Sequence, residues 1–100
     1  MARKRSVKTV MRELNKFPTA DKLALFFELE DIKGERFSAH YCPVAIYLKR
    51  ETKDDKLAVS LQSVFRMDEN SAKNIVVFSP VVRLFVKNFD INKYPKLVVR

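Results

Sequence analysis

The chain has 100 residues, 47% hydrophobic and 32% charged, with 20 Lys and Arg against 12 Asp and Glu for a formal net charge of +8. Its single glycine builds neither a Walker A loop nor a dinucleotide fingerprint, and its one Cys and one His fall short of a structural zinc site. The composition predicts one α+β domain in a reducing cytoplasm, with no cofactor, metal or internal disulfide.

The charge is uneven. Residues 1–16 carry Arg3, Lys4, Arg5, Lys8, Arg12 and Lys16 against Glu13 alone, a net of +5, and residues 17–100 carry a net of +3. No apolar stretch follows Met1-Ala2-Arg3-Lys4-Arg5, because Lys8, Arg12, Glu13 and Lys16 interrupt it. The pattern predicts neither a signal peptide nor a membrane span.

Ser6 is suited to cap a first helix, in which Val7, Val10, Met11, Leu14 and Phe17 recur with the helical period. Lys8, Arg12 and Lys16 then stack on the opposite side, and Pro18 stops the helix. Residues 1–16 thus read as a basic arm with an amphipathic helix, mobile at its start, and residues 17–100 as a single α+β domain. Thr19 caps a second helix over 20–32, with Gly34 expected as a left-handed residue beyond its end. Residues 35–41 read as extended. Cys42-Pro43 then opens a third helix with proline at its first position, followed by a charged exit over 49–55.

From Leu57 to Met67 the period changes to two, which predicts one half-buried strand. Asp68-Glu69-Asn70-Ser71 is a turn signal, and the β-branched run 74–78 completes an antiparallel hairpin. Ser79-Pro80 caps a last helix with Val82, Phe85, Val86 and Phe89 on one stripe, and Leu97-Val98-Val99 offers a further strand. The expected order is three helices, a hairpin and a C-terminal helix.

The nine-residue link between Ile32 and Cys42 is too long for a helix-turn-helix, whose turn takes about 3–4 residues. If residues 40–42 are extended, His40 and Cys42 share a side, and a thiol at a helix N-terminus is activated. No orienting carboxylate or oxyanion donor accompanies them, so Cys42 reads as a small core residue. Of the close carboxylates, Glu28 lies near Glu30 and Asp31, a helical neighbour, while Asp54-Asp55 and Asp68-Glu69 fall in expected loops where water screens them; acid–base work needs burial or repulsion to separate their pKa values. The expectation is a protein that is not an enzyme. Phe37 and Tyr41, beside Arg36 and His40, are the local candidates for stacking on single-stranded nucleic acid.

The segment Cys42-Pro43-Val44-Ala45-Ile46-Tyr47-Leu48 resembles one found in small uncharacterised bacterial proteins. There a Cys-Pro helix start precedes a hairpin and a Pro-initiated helix that ends near an aromatic-Asp pair. Ser79-Pro80 and the stretch from Phe89-Asp90 to Tyr94-Pro95 fit that layout. The resemblance covers roughly residues 20–98 and implies a shared scaffold; it implies no activity.

A near single-signed helical face suits a polyanion, because each neutralised phosphate releases condensed counterions. The sequence therefore points to a small nucleic-acid-binding protein with a regulatory role. Arg3, Lys4, Arg5, Lys8, Arg12 and Lys16 would contact phosphates of DNA or RNA, with Lys49 and Arg50 as weaker additions. The alternative is a protein-interaction module or inhibitor acting through a hairpin edge or an exposed apolar helix face. A basic helix resting on an anionic membrane ranks below both, since Phe17 is its sole aromatic.

Overall fold

A computed structural model describes residues 5–67 and 72–99. Helix α1 spans Val7–Leu14, and the Ser6 hydroxyl accepts from the Thr9 amide at 3.2 Å to satisfy a free first-turn N–H. Val10, Met11 and Leu14 lie fully buried between helix α3 (Pro43–Thr52) and strand β3 (Ala72–Val77). The radius of gyration, 12.5 Å, agrees with the ~13 Å expected of a single domain this long, so α1 is part of the common core. The helix ends at Leu14 and caps on Asn15, earlier than Pro18 alone would require, which leaves Lys16 in the turn that follows.

Helix α2 (Ala20–Leu29) is capped by Thr19, as the sequence suggests, but it closes three residues short of Ile32. Asp31 takes the left-handed position, with φ of 56°. Gly34 does not: its φ is not positive. The glycine is needed instead for close approach. A Cβ there would clash with the Tyr41 carbonyl oxygen and meet the Pro43 ring at 2.9 Å. Its backbone also pairs with the chain's end, the Gly34 amide donating to Leu97 at 2.8 Å and the Val99 amide donating back at 2.9 Å.

Helix α3 starts at Pro43, with Cys42 as its cap residue and Thr52 buried near its end. Lys53 then turns left-handed, with φ of 58°. The strand expected over 57–67 is two strands, β1 (Leu57–Val59) and β2 (Ser63–Met67), in antiparallel register with Val59 opposite Val64. Ser60 makes the reversal, its hydroxyl accepting from the amides of Gln62 at 3.1 Å and Ser63 at 3.0 Å. The turn also changes which parity faces inward, from Val59 to Val64. Strand β3 adds to β2 antiparallel, with a bulge between Val64 and Phe65, giving a three-stranded sheet in the order β1-β2-β3. The turn signal at 68–71 lies outside the described residues.

Helix α4 (Pro80–Asp90) caps on Ser79 and packs against α2. Phe27 meets Phe85 at 5.2 Å between ring centroids, and Phe85 stacks on Tyr94 at 5.3 Å. After α4, Pro95–Leu97 forms a 3₁₀ turn, and Val98 makes one bridge to Gly34 where a strand was expected. The architecture is α+β: the described residues form four α-helices against one antiparallel sheet.

Candidate nucleic-acid interface

Lys8 and Arg12 stand one turn apart on the outer face of α1, about 6 Å along its axis, and Lys16 follows in the turn. All three are exposed, and none forms an ion pair among the described residues. Their stripe is outermost because the opposite stripe is committed to the core. Arg12 also sits in the last turn, where the negative end of the helix dipole favours a cation.

The anion on this face, Glu13, is held by Arg5. A second Arg5 bond, 2.7 Å long, reaches Glu51 on α3 and so fastens the start of α1 to the end of α3. Glu13 and then Glu51 raise the Arg5 pKa above the ordinary arginine value, against the opposing effect of burial. Arg50 donates to Glu30 at 2.7 Å and to Glu51 at 3.2 Å, and its guanidinium lies 5.1 Å from the Tyr47 ring centroid. The bond to Glu30 leads in raising the Arg50 pKa. Burial pushes Glu51 up, but Arg5 and Arg50 outweigh it and leave its carboxyl below the ordinary value of 4.5.

The sequence-derived cations therefore separate. Lys8, Arg12 and Lys16 share a free surface, whereas Arg5 and Arg50 belong to a network joining α1, α2 and α3. Lys49 is half-buried, with its ammonium 4.6 Å from the Tyr41 ring centroid. Arg3 and Lys4 lie outside the described residues.

Two further cations, which the sequence reading does not single out, are Arg83 and Lys87, one turn apart and exposed on α4. Their spacing was legible; what ties α4 to α1 was not. The Asn15 side chain accepts from the Ser79 amide at 3.0 Å, so the N-terminus of α4 sits at the end of α1.

Residues 35–41 form a closed loop rather than an extended segment. The Glu35 amide donates to Tyr41 at 2.7 Å across its neck, and the Val59 amide donates to Ala39 at 2.8 Å. Cys42 is buried directly after it, and burial pushes its thiol up to about 12, so it is a protonated core residue at neutral pH. Beside the loop lies a cleft of about 400 Å³ lined by Phe37, Cys42, Val59, Leu61, Lys87 and Ile91, among others. Among the described residues no group of three or more His, Cys, Asp and Glu could hold a metal ion, and no helix is long and apolar enough to cross a membrane. No family model, curated protein or solved structure matches the chain.

Proposed function

We propose that this chain binds nucleic acid, DNA or RNA, by placing Lys8, Arg12 and Lys16 against the phosphate backbone, with Arg3 and Lys4 ahead of them. The observation that carries the reading is the separation of the cations. Ordinary surface charge is mixed in sign, yet this face holds three cations with no ion pair among the described residues, while Glu13 beside them is paired with Arg5. Such contacts position a protein on the backbone and carry no sequence information of their own. A cytoplasmic, regulatory role fits this reading.

The test is fluorescence anisotropy with labelled duplex DNA and single-stranded RNA at about 50 and 200 mM salt. Three phosphate contacts on duplex predict a fall of ~40-fold in affinity over that range, and five predict a steeper one. Absence of binding at the lower salt overturns the proposal. Deleting residues 1–16 is not a usable control, because it removes Val10, Met11 and Leu14 from the core.

A second reading, a protein-interaction module, is favoured by Leu25 and Leu29, exposed one turn apart on α2. A chain that stays monomeric by light scattering at high concentration, and binds nucleic acid, sets that reading aside for self-association.

A further inference from the structure

Phe37 is 73% exposed and has a φ of 58°. A bulky residue is rarely left-handed, and such backbone persists only where its surroundings over-determine it. Here they do. The Phe37 amide donates to the Asp90 carboxylate at 2.9 Å, and Arg36 Nε donates to the Asp90 carbonyl at 2.8 Å. Both bonds fix the loop to the last residue of α4, while the neck and the tether to β1 fix its other sides. The loop thus holds an apolar ring out in water on a rigid support.

The ring's surroundings suit a nucleobase. The Arg36 guanidinium lies over Phe37, 5.3 Å from the centroid, and no other ring of the described residues stacks on it. Tyr41, 54% exposed, is likewise covered by a cation, Lys49. Exposed rings paired with cations are what single-strand-binding surfaces use, because every base has a π-face. Phe37 also lines the cleft that Lys87 lines.

Two exposed cations stand on the helix that joins the end of α1 to that ring. The end of α1 holds the N-terminus of α4 through Asn15, Arg83 and Lys87 follow on successive turns of α4, and Asp90 holds Phe37 at its C-terminus. Neither Arg83 nor Lys87 forms an ion pair among the described residues. Helix α4 has 11 residues and is ~16 Å long, within the reach of a strand a few nucleotides long.

We propose that the loop 35–41 is a stacking platform for single-stranded nucleic acid, with a base on Phe37 and the strand's phosphates following Lys87 and Arg83 towards α1. This rests on the phosphate-binding reading of α1 and adds to it a preference for single strands over duplex. Duplex bases are already stacked and offer Phe37 no face.

The chain has no Trp, so Phe37→Trp installs a unique fluorophore at the platform. Full-length F37W is titrated with 12-nucleotide oligo(U), oligo(dT) and a 12-base-pair duplex. Anisotropy is measured in parallel for the wild type and for Phe37→Gly, which removes the ring and tolerates the left-handed backbone. The proposal predicts Trp quenching by the single strands and not by the duplex. It also predicts that F37G binds single strands ~5- to 150-fold more weakly, with an unchanged salt slope. The stronger of the two single-strand arms separates RNA from DNA. If wild type binds single strands but F37G binds equally well and F37W is unquenched, the platform is overturned and the cationic reading of α1 stands. If wild type binds none of the three probes, both fail together.

Discussion

Arg5 and Lys8 lie three residues apart, yet their charges serve different ends. Arg5 is tied to Glu13 and Glu51 and closes α1 against α3, whereas Lys8 faces water with Arg12 and Lys16. The same contrast holds within α3, where Arg50 is held by Glu30 and Glu51. Net charge counts all of these cations alike. What separates them is whether a carboxylate from another element reaches them, and that depends on the tertiary fold. A paired cation stabilises the chain and is neutral to a distant phosphate; a free one contributes little to stability and attracts a polyanion.

The largest expected effect tests the free set. Replacing Lys8, Arg12 and Lys16 together by Gln should weaken binding to nucleic acid on the order of 10²–10³-fold at about 50 mM salt. Stability by urea unfolding should stay within about 0.5 kcal/mol, as for substitutions away from packed or paired groups. An equally large loss of stability would erase the contrast.

Arg5→Met should do the reverse. Arg5 keeps only 25% of its side chain exposed and Glu51 22%, so removing the guanidinium leaves the half-buried Glu51 to Arg50 alone and unpairs the exposed Glu13. Destabilisation of about 1–3 kcal/mol is expected, with affinity per folded molecule changed much less than in the triple variant.

The network also gives a pH dependence of known sign. The Glu51 carboxyl is lowered on folding, so its contribution is complete above the unfolded value and is lost as pH falls through the lower, folded one. Unfolding measured from pH 7 to pH 3 should show stability falling below about pH 4.5, and Glu51→Gln should flatten part of that fall.

The smallest effect is an absence of reaction. With its thiol near 12, Cys42 should be inert to a thiol reagent in the folded protein at pH 8 and should react at once in denaturant. Rapid native reaction would mean that the cleft beside it opens.

Much of the fold was legible because the relevant physics is local. Ser6, Thr19 and Ser79 each accept the capping bond their chemistry suggests, and Pro43 stands at the first position of α3. The failures have local causes too. A strict alternation from Leu57 to Met67 concealed the reversal at Ser60, although two serines three residues apart are turn-forming residues. The sequence offers Gly34 for its conformational freedom, but its reason is the Tyr41 carbonyl oxygen, which stands where a Cβ would clash with it. That neighbour belongs to another segment and leaves no trace in sequence. The candidate site divides the same way. The helical spacing of Lys8 and Arg12 was visible, whereas the partners of Arg5 and Arg50, and the pinning of Phe37 by Asp90, arise only from contacts distant in the chain.

On the proposed function, position and not total charge makes Lys8, Arg12 and Lys16 a binding surface. This is tested by the salt dependence of duplex affinity for three proteins: wild type, K8Q/R12Q/K16Q, and a charge-matched K33Q/K93Q/K96Q variant altered at exposed lysines on other elements. The account predicts that the slope of log affinity against log salt loses about 2.7 in magnitude in the α1 variant and is nearly unchanged in the other. Equal losses in both variants would contradict it.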